Sequence, residues 1–282
     1  MKPSRAYMIF IHLAALATML VILAPLCWLF YSSVVGQTDL LSRPMRWWPE
    51  RFTLERYREI FTGEGTSAAT LFRTAMVNSF LVGAGTVVIS LTVGILGGYA
   101  LARLRFPLRR TTLTSFLVTY MLPPIALIIP LYILMSRFGL LDTKAGLIIV
   151  YCSLCTPFAL WTMSNFFGAL PVDLEDAARV DGCSRLGALW RVVLPLARPG
   201  IVATALYGFL LCWDEFLYAL IFTSTSDSKT IPVAIAEFTG RNAVDFGLIA
   251  AGGILALIPP LLLTIAFQRY LIEGLSAGAV KA

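Results

Sequence analysis

Charge is scarce in this sequence. Asp, Glu, Lys and Arg make up 13% of its 282 residues, about half the share usual in a soluble domain. Histidine occurs once, as His12, and cysteine five times, as Cys27, Cys152, Cys155, Cys183 and Cys212. One histidine supports neither a metal cluster nor a catalytic triad. Cys152-x-x-Cys155 has zinc or redox spacing, but it lies in an apolar run with no second pair and no nearby His, so its thiols read as membrane-core packing. Nowhere does a G-x-x-x-x-G-K-[ST] phosphate cradle occur. The few polar clusters do not join a nucleophile, a base and an orienting group. These absences argue against a soluble globular domain, a metalloenzyme and a self-sufficient ATPase.

What fills the space is apolar: 58% of residues are hydrophobic, and the mean hydropathy is +0.81. The apolar residues fall in six blocks of bilayer-spanning length, at 6–31, 76–102, 113–136, 145–170, 200–223 and 247–270. Backbone groups in lipid must be bonded within their own segment, so each block is predicted to be a helix. The expected fold is an all-α integral membrane protein of six transmembrane helices, a single domain over residues 1–282. The first block follows Lys2 and Arg5 like a signal peptide, yet outruns the roughly 7–15 apolar residues of one, and is read as an uncleaved span. The net charge of +6 reflects orientation and not nucleic-acid binding. The short 102–112 loop carries Arg103, Arg105, Arg109 and Arg110 without one acid, which places it and both termini in the cytoplasm.

Features between and within the spans suggest roles. The long loop 32–75 holds Trp47 and Trp48, suited to a membrane interface, and Thr53, which can cap a short helix with Leu54, Tyr57 and Phe61 on one face. Gly94-x-x-x-Gly98 permits close helix approach. Pro123, Pro124 and Pro130 should kink or loosen the third span. Asp214 and Glu215 are the acids placed within a span, about 21 Å from its inner end at ~1.5 Å per residue. Charges at such depth usually face a bundle interior or water. With Trp213 beside them they are candidate lining of a solute path; Asn165, Ser164, Tyr120 and Tyr132 are further polar candidates. Structural bonding between helices, or a span that ends early, is the competing explanation.

The most informative segment runs from Pro171 to Pro195, a charged stretch between apolar blocks. Pro171 suits a helix start, and Asp173, Glu175 and Asp176 put negative charge at the positive end of the dipole. Ala177 and Ala178 give a small, smooth surface, and Gly182 breaks the helix. Ser184 can cap a second short helix running to about Leu194, where Pro195 should stop it. An amphipathic helix lying on lipid would need a basic polar face; this one opens acidic.

Asp176-Ala177-Ala178, then Gly182, then Val192-x-Leu194-Pro195 keeps every spacing of the motif that marks membrane subunits of binding-protein-dependent ABC importers, with Asp for the usual Glu and Val for the usual Ile. Pro44-x-x-Trp47-x-Pro49, Gly139-Leu-Leu-Asp142-Thr143, Trp213-Asp214-Glu215, Thr230-Ile-Pro232-Val and the tail Gly274–Ala282 resemble landmarks of the maltose-type, second-permease branch. The resemblance implies a type I importer permease in which residues 171–199 form a cytoplasmic coupling loop. Glu175, Asp176, Ala177, Ala178, Asp181, Gly182, Leu194 and Pro195 would then couple to an ATPase. It also implies a second homologous permease, a dimer of ATPase subunits holding ATP and Mg²⁺, and an extracytoplasmic solute-binding protein. No cofactor is expected in this chain. The solute would be a sugar or sugar derivative, or alternatively another polar solute such as a glycerol phosphodiester. An ion-coupled secondary transporter using Asp214 and Glu215, or a membrane enzyme, would leave residues 171–195 unexplained.

Overall fold

The computed structural model describes residues 4–44, 46–62, 67–238 and 245–279, without the side chains of residues 6, 67–69 and 271–279. The described residues are helical, their extended pairing being the isolated bridge Val35–Phe52. Four helices are long and apolar enough to cross a membrane, Tyr7–Val34, Thr70–Arg103, Lys144–Ala169 and Phe246–Tyr270, and two bent pairs bring the number to six if each is one span. The chain divides into two compact units: Met1–Arg73 with Ala234–Ile258, and Thr74–Val233 with Pro259–Ala282.

In the first unit, α1 (Arg5–Val34) starts on Ser4, whose hydroxyl accepts from the Tyr7 amide at 3.2 Å. The short α2 (Gln37–Leu40) and α3 (Glu55–Thr62) follow. Thr53 caps the start of α3, accepting from the Glu55 amide at 3.2 Å. The face of α3 that packs inward is not its apolar one. Leu54 and Phe61 are exposed, whereas Arg56 and Ile60 are buried. The reason is polar: the Arg56 guanidinium donates to the carbonyls of Ser33 (3.3 Å) and Val35 (2.6 Å), at the end of α1 where carbonyls lack helical partners. Its charge is met by Asp245 at 3.2 Å, and Asp245 also accepts from the amides of Gly247 and Leu248, capping the last long helix. Trp47 and Trp48 are exposed, as interfacial residues should be.

The second unit is organised around α7 (Lys144–Ala169). Against it lies α4 (Ser67–Arg103), with the close approach its small residues anticipate. A Cβ on Gly94 would come within 2.9 Å of Ala159, and one on Gly98 within 2.8 Å of Met163 and Ser164. The third apolar run is two helices, α5 (Arg109–Met121) and α6 (Pro124–Arg137), meeting at 97°. Consecutive prolines explain the severity, since neither Pro123 nor Pro124 has an amide to carry the helix across.

Beyond α7 come α8 (Val172–Val180), α9 (Arg185–Ala188), a π-helical turn over Leu189–Val193 and α10 (Leu194–Leu196). Pro195 therefore does not stop the second short helix, which runs on to Leu196. The widened turn before it relieves the clash between a proline ring and the carbonyl four residues back. A 77° bend then leads into α11 (Arg198–Asp214). The fifth apolar run is also not one rod: α11 ends at Asp214, Glu215-Phe216 is non-helical, and α12 (Leu217–Phe222) follows. The remaining helices are α13 (Ile231–Glu237) and α14 (Phe246–Ala279).

The α11 helix packs antiparallel on α7. Tyr151 reaches the Glu215 carbonyl (3.4 Å), Cys155 lies 3.4 Å from Cys212, and the Phe166 ring faces Gly200. Cys155 thus partners Cys212 and not Cys152. No group of three metal-ligating side chains occurs among the described residues.

Candidate functional site

Residues 171–199 form a knob of short helices joined end to end. Pro171 has extended dihedrals at the N-terminal cap of α8, with Asp173 and Glu175 in the first turn. At the other end Gly182 takes φ +92°. There the Gly182 amide donates to the Arg179 carbonyl (3.1 Å) and the Cys183 amide to the Ala178 carbonyl (3.0 Å). These are the two bonds of a Schellman ending, and they need a left-handed residue at this position. Ser184 then caps α9 as anticipated, accepting from the Gly187 amide at 3.1 Å.

Asp176, Ala177, Asp181, Gly182 and Pro195 are exposed, and Ala178 and Leu194 half-buried. Asp176 makes an exposed ion pair with Arg179 at 3.6 Å, of small energetic weight. Glu175 departs from the rest. It is 7% exposed and turned inward, its carboxylate 3.2 Å from Arg103 Nε and accepting from the Tyr99 hydroxyl. Arg103 in turn donates to the Leu170 carbonyl at 2.9 Å. The Nε–H is not aimed at the carboxylate, so that contact is coulombic. Glu175 is thus a brace between α8 and the end of α4 and is not presented for contact with another protein. Behind it Tyr99, Met163, Phe167, Leu189, Val193 and Ala197 form one apolar cluster joining the knob to α4 and α7.

The candidate path residues separate into two groups. Asp214 is exposed at the end of α11, and Asn165 is exposed on α7. Tyr120, at the end of α5, is 41% exposed, and its ring lies 6.3 Å from Phe158. Tyr132 is equally exposed but stands on α6 beyond the 97° bend, edge-on to Phe222. Trp213, expected to offer an aromatic face, is instead 3% exposed and stacked on Phe209 at 5.5 Å. Glu215 accepts from the amides of Tyr218 (2.8 Å) and Ala219 (3.1 Å), capping α12. The break frees those amides from helical partners, and the carboxylate takes them. Ser164 is buried.

Comparison with known proteins fits this arrangement. Residues 90–276 match the family described as "Binding-protein-dependent transport system inner membrane component". The chain belongs to that family. It is similar to the trehalose transport system permease protein SugB of Mycobacterium tuberculosis (strain CDC 1551 / Oshkosh), with 39% identity over 92% of each chain. It is also similar to the diacetylchitobiose uptake system permease protein DasC of Streptomyces coelicolor (strain ATCC BAA-471 / A3(2) / M145), with 31% identity over the full length of both. Among solved structures, a chain of a bacterial ABC transporter involved in the import of the acidic polysaccharide alginate has a TM-score of 0.78 at 24% identity. That likeness covers 95% of this chain and 98% of the other. As a member of this transport family the protein is a multi-pass membrane permease subunit and not an enzyme.

Several residues of this permease were not singled out by sequence reasoning. Val180, Leu186 and Trp190 are 88%, 60% and 66% exposed on the knob, an apolar surface outside the long spans. Tyr99 and Arg103 brace Glu175 from more than seventy positions away. Phe158, Trp161 and Tyr207 join Tyr120 in one ring cluster. Of these, Arg103 was read from the sequence only as one of the four arginines that orient the 102–112 loop.

Asp142 is a structural knot at the other end of α7. Its backbone is left-handed, φ +57°, which Asp tolerates better than most residues. Its carboxylate accepts from the Ser224 and Thr225 amides (2.8 and 3.0 Å) and from the Ser228 hydroxyl. Burial works to raise its pKa, but these hydrogen bonds outweigh it and hold the carboxyl well below its ordinary 3.8. A depressed value stabilises the loop above about pH 4, and that contribution is lost as pH falls through the lowered value. Asp142→Ala should therefore speed hydrogen exchange at the Ser224 and Thr225 amides severalfold or more at pH 7, consistent with the roughly 0.5–1.5 kcal/mol net worth of a hydrogen bond whose donor returns to water. In the unmodified protein the same amides should exchange with equal protection at pH 7 and pH 5, after allowance for the intrinsic rate.

Proposed function

We propose that this permease is one of two homologous membrane subunits of an ATP-driven importer of a carbohydrate delivered by an extracytoplasmic binding protein. The supporting observation is the braced knob: a short helix with an exposed Asp176-Ala177-Ala178 surface, closed by Gly182 and tied through Glu175 to Arg103. In this reading the knob sits in a groove of an ATPase subunit, with Val180, Leu186 and Trp190 as its apolar contacts and Asp176 and Asp181 as its charged ones. A rigid piece transmits rotation of that groove to α4, α7 and α11; a loose loop would not. ATP and Mg²⁺ belong to the ATPase dimer. Closure of that dimer swings the knobs and opens the pathway outward, and hydrolysis resets it.

The carbohydrate assignment rests on the trehalose and diacetylchitobiose named for the two relatives. The arginine-rich 102–112 loop supports a cytoplasmic knob and cytoplasmic termini, with the Asp142 knot on the outer side. The test is reconstitution in liposomes of the chain with an ATPase, a second permease and a binding protein of this transport family from the same genome. ATP-dependent uptake of trehalose, maltose or N,N′-diacetylchitobiose is expected only with every component present. Uptake by this chain alone, driven by a proton or sodium gradient, would overturn the reading.

A further inference from the structure

Four aromatic rings from three helices form a continuous cluster partway along the spans. Phe158 is central: its ring centroid lies 4.3 Å from Tyr207 of α11, 6.3 Å from Tyr120 of α5 and 6.4 Å from Trp161, one turn away on α7. The other three are not packed away, Tyr120, Trp161 and Tyr207 being 41%, 40% and 43% exposed. Polar groups continue the cluster in both directions. Asn165 follows Trp161 by four residues, hence on the same face of α7, and Asp214 follows Tyr207 by seven on α11. Because the two helices run antiparallel, these residues extend away from the Phe158–Tyr207 pair in opposite directions. At ~1.5 Å per residue each arm is about 10 Å, giving a stripe of about 20 Å.

Lipid is a poor neighbour for this stripe. Exposed Asp, Asn and tyrosine hydroxyls at membrane depth belong to cavities or bundle interiors. Two helix breaks adjoin it, Leu122-Pro123 just after Tyr120 and Glu215-Phe216 just after Asp214. The Tyr218 hydroxyl links them, donating to the Pro124 carbonyl at 3.1 Å. Non-helical backbone at such depth is tolerated only in protein or beside water. A flat aromatic face next to hydrogen-bonding groups suits one solute chemistry in particular. Pyranose rings present C–H faces to aromatic faces and hydroxyls to carboxylate and amide groups.

We propose that Tyr120, Phe158, Trp161 and Tyr207 form a stacking subsite for pyranose rings within the membrane, with Asp214 and Asn165 bonding hydroxyls at its two ends. The proposal rests on the reading that the assembly imports a carbohydrate. Its test uses the complete reconstituted importer with trehalose, maltose and N,N′-diacetylchitobiose as probes. Trp161→Leu and Tyr207→Leu should each lower uptake of the transported sugar tenfold or more, with the ATPase and second permease still co-purifying. Trp161→Phe and Tyr207→Phe, which keep a ring, should stay within threefold of the unmodified importer.

Normal uptake by both leucine variants overturns the subsite and leaves carbohydrate import standing. Loss of co-purification in the leucine variants overturns it too, since the rings would then be packing against the second permease. Failure of the unmodified importer to move any of the three sugars defeats the carbohydrate reading itself and the subsite with it.

Discussion

Gly182→Val is expected to reduce ATP-driven uptake more than tenfold while leaving the chain in the membrane. The backbone there has φ +92°, and a Cβ would meet nothing within 4 Å. The penalty is therefore entirely conformational and not a clash with neighbours. For a β-branched residue a left-handed conformation costs about 1–2 kcal/mol or more. If the chain relaxes to negative φ, both closing bonds of α8 are lost, at roughly 1 kcal/mol each. In either case the path from Val180 to the Ser184 cap changes direction, and the exposed Ala177 surface is no longer held at a fixed angle to α9. Gly182→Pro is the more severe variant, because its φ is fixed near −65° and it lacks the amide that bonds Arg179. Gly182→Asn is the control, since Asn tolerates left-handed backbone, and should keep most of the uptake. Membrane fractionation checks insertion, co-purification checks ATPase association, and vesicle uptake checks coupling. Normal association and uptake by the valine variant would show that the shape of α8 is not what the ATPase reads.

Much of this was legible because bilayers and helix ends impose strong local rules. Four of the six apolar blocks coincide with single long helices, since length and hydropathy fix them without tertiary information, whereas 113–136 is a pair of helices bent by 97° and 200–223 is broken at Glu215-Phe216. The helix–Gly–helix form of residues 171–195 was equally local: Ser184 caps, Gly182 turns, and acidic residues open α8. What escaped depended on contacts distant in sequence. Glu175 read as one more exposed acid at a helix start, and only Tyr99 and Arg103 reveal it as a brace. Its neighbour Asp176 points the other way, a distinction that a hundred degrees of helix rotation makes and composition does not. Trp213 and Glu215 looked like pathway chemistry because they sit within an apolar block. In fact one is stacked on Phe209, and the other closes a helix break, so the competing explanation, a span that ends early, holds for these two. The burial of Arg56 on α3 escaped for a related reason. An arginine that satisfies carbonyls at a helix end is buried in spite of its charge, and apolar patterning gives no weight to that possibility.

The second large effect is expected at the brace. Glu175 and Arg103 are each under a tenth exposed as side chains, so removing one partner strands a buried charge. Breaking such a pair costs about 3–5 kcal/mol. Glu175→Leu and Arg103→Leu should each lower the unfolding midpoint of the detergent-solubilised protein, whereas the double Leu variant should recover most of the loss, because two apolar residues leave no unpaired charge. Transport should not recover with it. In the double variant the knob retains its apolar cluster with Phe167 and Leu189 but loses its ionic tie to α4. ATP hydrolysis by the assembled complex should then continue with less solute moved per ATP. Tyr99→Phe removes one hydrogen bond to the carboxylate and should show the same uncoupling more weakly, with a stability loss of about 1–2 kcal/mol. The separation of stability from coupling is the informative outcome. A double variant that regains both normal stability and a normal ratio of solute to ATP would reduce the Arg103–Glu175 pair to a packing detail, and the motion would have to reach the spans through the apolar cluster alone.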